Sequence, residues 1–278
     1  MLELDGVTKT FNRGSIDEKM ALRNVSLTVS RADFITIIGS NGAGKTTLLN
    51  VITGNVPVDD GNVVVDSRDV TALPEFKRGK LIGRVFQNPL MGTAAEMTIE
   101  ENLSMALLRG RPRGLKRGVT EEHRKKYRPI LKTLGLGLED RLGDRVGLLS
   151  GGQRQSLAIL MATLALPKLL LLDEHTASLD PKTAAVVMDL TERVVTENNL
   201  TTLMVTHNMD QAIRHGNRLI MMHEGRIVLD ASGEEKRRLT IPELVERFGL
   251  VDEKLLLQTP SVGLSDPLEK NGQGKDQG

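Results

Sequence analysis

Short apolar runs alternate with stretches of helical periodicity along most of this chain. The apolar runs predict strands at 2–7, 25–29, 34–38, 63–66, 169–172, 202–205 and 219–222. The periodic stretches predict helices at 46–52, 100–109, 120–134, from 153 onward, 182–197 and 208–215. Because strands and helices alternate, we expect a mostly parallel sheet flanked by helices, which is the α/β fold class.

Turn and capping residues mark several boundaries between these elements. Asp60-Gly61 predicts a hairpin-type turn that leads into the strand at 63–66. The stretch 223–226 predicts a second hairpin turn near the end of the sheet. Thr120 is the predicted N-cap of the helix that follows it, since threonine hydroxyls accept hydrogen bonds from the first helical N–H groups.

Composition narrows the class of protein. The chain has 278 residues, 37 basic against 36 acidic residues and no cysteine. The balanced charge gives no general argument for nucleic-acid binding, and disulfides and thiolate metal sites are excluded. No apolar run approaches the about 20 residues of a membrane helix, and the N-terminus lacks a signal peptide. We therefore expect a soluble intracellular protein, in which any membrane role depends on a partner.

The residues from Gly39 to Thr46 match the pattern of a phosphate-binding P-loop, Gly-x-x-x-x-Gly-Lys-Ser/Thr. A predicted strand precedes them, and a predicted helix that stops at Gly54 follows. Backbone N–H groups of such a loop and the helix N-terminus attract an anion. Lys45 can then reach the β- and γ-phosphates, and the Thr46 hydroxyl can bind Mg²⁺. This context favours a nucleoside triphosphate site over a glycine-rich turn that binds nothing.

A second segment places two carboxylates at the end of an apolar strand. Asp173 and Glu174 follow four leucines, and the carboxyl edge of a parallel sheet is where P-loop proteins bind phosphates. Asp173 would hold Mg²⁺, mostly through water, and Glu174 would polarise the attacking water. The alternative is a strand that ends in a charged turn. The P-loop upstream favours the catalytic interpretation.

A third segment, Leu149 to Gln155, places a serine and two glycines at a predicted helix start. It is a second backbone nest for an anion, which one triphosphate seldom requires. We therefore predict that this nest serves a nucleotide held by another copy of the protein. His207 and Gln87 also follow apolar runs, but each of them alone would be interpreted as a structural residue.

Together these segments resemble the ATP-binding subunit of ABC transporters over residues 2–230. Gly39–Thr46 resembles the Walker A motif, Gln87 the Q-loop, and Leu149–Gln153 the signature motif Leu-Ser-Gly-Gly-Gln. The signature motif is nearly diagnostic of that family. The ordered set of motifs leaves little room for coincidence.

The remaining family motifs follow in the expected order. Leu169–Asp173 resembles the Walker B motif, and Glu174 the catalytic glutamate next to it. Ser178–Asp180 resembles the D-loop and His207 the switch histidine. Phe11 lies where the family places an aromatic residue that stacks on adenine.

The resemblance implies ATP and Mg²⁺ as ligands and a role for each matched residue. The implied catalytic residues are Glu174, His207, Lys45 and Gln87. The implied nucleotide contacts are Phe11, Gly39, Ser40, Asn41, Gly42, Ala43, Gly44, Lys45, Thr46, Thr47, Ser150, Gly151, Gly152, Gln153 and Asp180. The implied Mg²⁺ ligands are Thr46, Gln87 and Asp173.

The resemblance also implies an architecture, a P-loop NTPase with a RecA-like core, an antiparallel β-lobe and a helical lobe at about 89–152. The expected domains are a cassette at 1–230, a helical extension at 231–257 and a disordered tail at 258–278. Two cassettes would close head to tail over two ATP molecules. Ser150, Gly151 and Gly152 would contact the γ-phosphate held by the partner copy.

The chain departs from the family pattern at a few positions. His175 replaces the usual proline after the glutamate, which would allow pH-sensitive behaviour at the site. Phe11 replaces the commoner tyrosine and keeps the π-face without the hydroxyl. The runs 174–180 and 233–240 resemble a bacterial branch of importer ATPases with amino acids, aromatic ones among them, as proposed cargo.

The resemblance therefore implies an ATPase that powers an importer from the cytoplasmic face of the membrane. Its implied partners are a second cassette, integral membrane permease subunits and an extracytoplasmic solute-binding protein, with no nucleic acid. The alternatives are an exporter or lipoprotein-release ATPase, and a soluble ABC ATPase that acts on nucleic acid or ribosomes. The cargo itself is not encoded in this subunit.

A basic cluster between 109 and 128 allows two interpretations. The first is a solvated connection at 109–118 followed by a charged helix face. The second is attraction to anionic lipid headgroups beside the permease.

Overall fold

The computed structural model describes residues 1–110 and 118–258. Its strands are β1 (Leu2–Phe11), β2 (Lys19–Val29), β3 (Phe34–Gly39), β4 (Asp60–Val65), β5 (Arg68–Asp69), β6 (Ile82–Val85), β7 (Leu169–Asp173), β8 (Thr201–Val205), β9 (Arg218–His223) and β10 (Arg226–Ser232). Its helices are α1 (Lys45–Thr53), α2 (Glu75–Arg78), α3 (Ile99–Leu107), α4 (Glu121–Lys132), α5 (Gly151–Thr163), α6 (Pro181–Glu197), α7 (Met209–Arg214), α8 (Gly233–Arg238) and α9 (Ile241–Gln258). Short 3-10 turns lie at Pro89–Met91, Leu138–Asp140 and Val146–Leu148.

The strands form two sheets. The larger has the order β10-β9-β3-β8-β7-β6, in which β9, β3, β8, β7 and β6 run parallel and β10 pairs antiparallel with β9. The smaller has the order β2-β1-β4-β5 and is antiparallel throughout. The predicted mostly parallel α/β sheet with an antiparallel β-lobe is confirmed.

Strand β7 shows why the larger sheet forms the centre of the protein. Leu169 and Leu171 pack in a cluster that also contains residues of the smaller sheet and α1. Leu170 and Leu172 pack in a second cluster with residues of α5 and α6. Successive side chains of a strand point to opposite faces, so an unbroken apolar run is buried on both.

A separate cluster forms the core of the helical region. It joins α3, α4 and α5 through Leu103, Tyr127, Leu131 and Leu157, all of them buried. Helix α4 begins where predicted, because the Thr120 hydroxyl accepts from the His123 N–H at 3.3 Å. This region holds the start of α5, whose first residues belong to the predicted signature motif.

Helix α1 ends as predicted at Gly54, which adopts left-handed backbone (φ 79°). A buried arginine completes this end. Arg78 Nη1 donates to the carbonyl oxygens of Val51 (2.8 Å) and Ile52 (2.9 Å). The last turn of a helix leaves carbonyls without the usual partner four residues on, and here the Val51 carbonyl also accepts from the Gly54 N–H at 3.2 Å. The end of the helix that follows the P-loop is therefore fixed by a residue 25 positions away along the chain from α1.

The predicted hairpin turn at Asp60-Gly61 is wrong. Both residues lie inside β4, and Asp60 is paired with Thr8 of β1. Gly61 has left-handed backbone (φ 87°), and a Cβ there would lie 2.4 Å from the Asp5 carbonyl oxygen. The glycine lies at a register shift between β1 and β4, and the chain does not reverse its direction there. The hairpin at 223–226 is confirmed, since β9 and β10 pair across it.

By their internal contacts the residues divide into Met1–Ile241 and Pro242–Gly278. The predicted extension at 231–257 contains the end of β10, helix α8 and most of α9. The predicted disordered tail lies outside the described residues from 259 onward, as does most of the predicted exposed connection at 109–118. Among the described helices, none is long and apolar enough to cross a membrane.

Candidate nucleotide-binding site

The predicted P-loop connects the end of β3 to the start of α1. Gly42 and Gly44 adopt left-handed backbone with φ of 83° and 100°. A Cβ on Gly44 would lie 2.5 Å from the Ala21 carbonyl oxygen, so the loop requires glycine there for both conformation and space. The turn therefore brings α1, with its unpaired N–H groups, to the carboxyl edge of the parallel sheet.

Lys45 is buried at the centre of this loop and is only 6 % exposed. Its Nζ donates to the carbonyl oxygens of Gly39 (2.8 Å) and Ser40 (3.1 Å). Burial lowers the pKa of the Lys45 amine, while the carboxylates of Glu174 and Asp173 act to raise it. The cation is held by two carbonyls that a phosphate oxygen can replace.

An open cleft of about 260 Å³ lies over the P-loop. It is lined by Phe11, Lys19, Ala21, Asn41, Gly42, Ala43, Gly44, Lys45, Thr46, Thr47 and Glu174. The structure therefore brings the predicted aromatic residue, most of the predicted loop and the predicted catalytic carboxylate around one space. The aromatic ring also lies 5.6 Å from the Lys9 ammonium, measured to its centroid.

Lys19 lines the cleft and was not predicted from the sequence. Its Nζ lies 3.2 Å from the position that a Cβ on Gly42 would occupy. The residue belongs to the first position of β2 in the other sheet. A single exposed lysine ahead of a strand carries no sequence signal for this placement.

The two predicted carboxylates at the end of β7 have different surroundings. Asp173 ends the strand and is buried, and its Oδ2 accepts from Arg84 Nη2 at 2.8 Å. Glu174 adopts left-handed backbone (φ 45°), which its N–H stabilises by donating to the Val205 carbonyl at 3.0 Å. This turn separates two consecutive carboxylates, so that one is fixed and the other lines the cleft.

His207 lies close to the predicted catalytic carboxylate. Its Nδ1 is 3.5 Å from Glu174 Oε2, and the side chain is 61 % exposed. The histidine follows β8, the neighbour of β7 in the sheet. The structure therefore brings together these two residues, which are distant in the sequence, as the family resemblance implied.

The predicted signature residues do not line the cleft. Ser150 is exposed and caps α5, because its hydroxyl accepts from the Gln153 N–H and Gln153 Oε1 accepts from the Ser150 N–H. Gly152 packs against α6, where a Cβ would lie 2.3 Å from Thr183 Cγ2. Within one copy of the chain, these residues and the P-loop form separate surfaces.

Six further predicted residues are also absent from the cleft lining, namely Gly39, Ser40, Gln87, Asp173, Asp180 and His207. The Gln87 carbonyl accepts from the Ser178 hydroxyl at 3.4 Å, which joins the predicted Q-loop and D-loop. The Asp180 carboxylate caps α6 by accepting from the Thr183 N–H at 3.1 Å. Its hydrogen bonds with Thr183 lower the pKa of the Asp180 carboxyl.

The expected pH-sensitive behaviour of His175 is wrong for the physiological range. The side chain is buried, and burial, with His215 nearby, lowers the pKa of His175 to about 4. Its Nε2 lies 3.1 Å from Thr191 Oγ1, and that hydroxyl donates to the Val187 carbonyl at 2.7 Å. Because the Thr191 hydroxyl donates its proton to the Val187 carbonyl, it can only accept a hydrogen bond from His175. Nε2 therefore carries the histidine proton and donates it. His175 is a neutral structural residue.

Two of the five residues of the basic cluster that the structure describes form ion pairs. Arg124 bonds Glu100 at 2.6 Å and also bonds Glu121. Lys126 bonds Glu122 at 2.6 Å. These pairs favour the interpretation as a solvated helix face. The cluster members at 111–117 lie outside the described residues.

The donor set fits Mg²⁺ bound together with a triphosphate. Mg²⁺ prefers oxygen ligands and usually takes one or two from the protein and others from phosphates and water. The predicted ligands Thr46 and Asp173 offer a hydroxyl that lines the cleft and a carboxylate at the end of β7. Side chains of this kind can complete the coordination of a phosphate-bound ion.

Comparison with known proteins agrees with this geometry. The family model described as "ABC transporter" matches residues 22–177. The tyrosine transport ATP-binding protein of Clostridioides difficile is 45 % identical over 248 residues, which are 89 % of this chain and 98 % of the relative. The glycine betaine/carnitine/choline transport ATP-binding protein OpuCA of Bacillus subtilis is 31 % identical over 94 % of this chain, which spans 65 % of that longer protein.

Solved structures give the same assignment of fold. The dimeric ATP-binding cassette MJ0796, in a post-hydrolysis state bound to ADP and Pi, is 32 % identical with a TM-score of 0.71. That match covers 84 % of this chain and 98 % of the cassette. The cbiO1 protein of Clostridium perfringens, part of the transporter complex cbiONQ, is 26 % identical with a TM-score of 0.70 over 93 % of this chain and 95 % of that protein.

Proposed function

This chain belongs to the ABC transporter ATP-binding family and is an ATPase subunit of a transporter, and from that premise we propose that it powers the import of an amino acid. An aromatic amino acid such as tyrosine is the cargo we favour. The observation that carries this proposal is the 45 % identity to a tyrosine transport ATP-binding protein over 98 % of that protein's length. OpuCA is named for the transport of glycine betaine, carnitine and choline, so the choice of tyrosine rests on the first match.

The proposed reaction is hydrolysis of ATP in the cleft over the P-loop. Phe11 stacks on the base, and the loop N–H groups with Lys45 hold the phosphates. Thr46 and Asp173 hold Mg²⁺, which offsets the charge of the phosphates. Glu174 accepts a proton from the attacking water, and His207, 3.5 Å from that carboxylate, orients the reacting groups.

The active unit is a head-to-tail pair of cassettes. The separation of Ser150 and Gly151 from the cleft supports this, since both are exposed and neither lines it. In the pair, the N-terminus of α5 from one copy faces the γ-phosphate held by the other. Closure then depends on ATP, because the triphosphate joins the two surfaces.

A permease subunit docks on a groove beside the site. The groove has a volume of about 520 Å³, and apolar side chains line it, among them Phe76, Phe86, Met105 and Met161. Phe76 is 75 % exposed, and exposed apolar grooves of soluble domains mark protein partners. Through this contact the chain associates with the cytoplasmic face of the membrane.

Reconstitution tests the cargo and the transport role together. The full chain is to be purified with the membrane proteins that it retains, reconstituted in vesicles with ATP, and assayed for uptake of labelled tyrosine, methionine and choline. We expect tyrosine uptake that E174Q abolishes. Uptake of choline alone would contradict the cargo, and stable association with ribosomes or DNA without a membrane partner would contradict transport.

A further inference from the structure

Arg84 lies on the edge strand β6 and bonds two side chains near the nucleotide site. Its Nη2 donates to Asp173 Oδ2 at 2.8 Å, and its Nη1 donates to Asn50 Oδ1 at 2.7 Å. The side chains of Arg84 and Asp173 are 9 % and 11 % exposed, so water screens this pair weakly. Asn50 belongs to α1, which begins at Lys45. Arg84 therefore ties the end of β7 to the helix of the P-loop.

A third contact, with an aromatic ring, fixes the orientation of the Arg84 guanidinium. Its Cζ lies 4.6 Å from the centroid of the Phe86 ring. A planar guanidinium that stacks on a ring and bonds two acceptors has one orientation, which a lysine ammonium at the same place would not keep. The pairing of β6 with β7 brings the arginine close to Asp173, since Arg84 is paired with Leu171, two residues before Asp173.

We propose that Arg84 is a positioning residue for Mg²⁺, which holds one carboxylate oxygen of Asp173 so that the other is presented to the metal of a bound Mg²⁺–ATP. A carboxylate has two oxygens and about four lone-pair directions, so the bond to Oδ2 leaves Oδ1 for a ligand. Through Asn50 the same arginine keeps this oxygen in register with Thr46 on α1. The inference deepens the proposed function and rests on it.

A purely structural role gives a different expectation. If Arg84 only neutralises a buried carboxylate, its replacement destabilises the fold and leaves the Mg²⁺ dependence of nucleotide binding unchanged. If it positions Asp173, its replacement weakens the response to Mg²⁺ even in protein that remains folded. Replacement of a residue that orients a metal ligand typically lowers metal affinity or activity by about 10- to 100-fold.

The test is equilibrium binding of a fluorescent ATP analogue by the full chain, with EDTA and across a Mg²⁺ titration. The variants are R84K and R84M, with R31M as the control. Arg31 makes a comparable bond to Asp66 at 2.8 Å on the surface, so R31M matches the charge change away from the site. N50A removes the hydrogen bond between Arg84 and Asn50 and keeps the Arg84–Asp173 pair. This variant therefore tests the proposal even if R84M does not fold.

We expect unchanged analogue binding in EDTA for all variants. The Mg²⁺ midpoint, which is the concentration that gives half of the Mg²⁺ effect on analogue binding, should rise by about tenfold in R84M. It should also rise in R84K and N50A, and it should not change in R31M. A wild-type midpoint in R84K and N50A overturns the proposal, as does a lower midpoint, which would make Arg84 a competitor of Mg²⁺. These results leave the proposed function intact if the wild-type protein hydrolyses Mg²⁺–ATP, whereas absence of that hydrolysis overturns both.

Discussion

Gly152 and Thr183 approach so closely that a Cβ on the glycine would lie 2.3 Å from Thr183 Cγ2. The two residues join the first turns of α5 and α6. A glycine of the signature motif thus has a packing requirement within its own chain, in addition to the contact proposed with the partner's nucleotide. Substitutions at this glycine must therefore be designed to separate the two requirements.

The first prediction concerns this contact. G152A should destabilise the protein by about 1–3 kcal/mol, the usual cost of overpacking, despite the better helix propensity of alanine. The double variant G152A/T183S removes Cγ2 and should recover this loss in urea unfolding. G151A is the matched control, because its Cβ would lie at an ordinary 3.4 Å from Leu179 Cδ2. Equal stability of G151A and G152A would contradict the packing argument.

The second prediction concerns the end of the P-loop helix. Arg78 is buried and donates to four backbone carbonyls, those of Val51, Ile52, Leu73 and Thr71. R78A should cost about 3–5 kcal/mol, since it leaves buried acceptors unsatisfied and opens a cavity. R78K should recover only part of this. R31A, which breaks an exposed pair, should cost under about 1 kcal/mol. Similar losses in R78A and R31A would refute the capping role.

The third prediction follows from His175, whose ordinary pKa of 6.5 is lowered by burial to about 4. Between these values the unfolded chain binds a proton that the folded protein excludes. The free energy of unfolding should therefore fall as pH drops from about 6.5 towards 4, by up to roughly 3 kcal/mol from this group. Urea unfolding at several pH values measures it. H175Q should flatten this part of the profile and retain a donor for Thr191, whereas an unchanged profile would contradict the assignment.

Elements with local signals were predictable from the sequence. The strand and helix around the P-loop, the Gly54 stop and the Thr120 cap depend on residues close together in the chain. The Arg84–Asp173 bond spans 89 positions and depends on the register of β6 with β7, which no local pattern encodes. The Asp60-Gly61 signal was misread for a related reason, because the pairing of β4 with β1 determines what that glycine does.

The fourth prediction isolates the proposed general base. E174Q should bind ATP normally and hydrolyse it about 100-fold or more slowly, because the amide cannot accept the proton of the attacking water. ATP should then hold two copies together, as seen by size-exclusion chromatography with light scattering. Glu224 is a matched control, since it has similar left-handed backbone (φ 43°) in a different turn. E224Q should hydrolyse ATP at the wild-type rate, and turnover of E174Q near that rate would refute the role.

The last prediction tests whether the site is shared between two copies. S150D keeps a good N-cap for α5 but places a negative charge where the partner's γ-phosphate would lie. We expect S150D to bind ATP as a monomer, yet to form no ATP-dependent dimer in the E174Q background.

Mixing two inactive variants then separates contacts within one copy from contacts across the pair. In a mixed dimer of K45A and S150D, one site combines both substitutions and the other combines an intact P-loop with an intact Ser150. Random mixing of equal amounts makes half of the dimers mixed, so about a quarter of the sites are intact. ATP-dependent dimers should therefore reappear when the variants are mixed in the E174Q background. Their absence, with each variant folded, would mean that Ser150 acts on the nucleotide of its own chain, against the separation of the two surfaces in the structure.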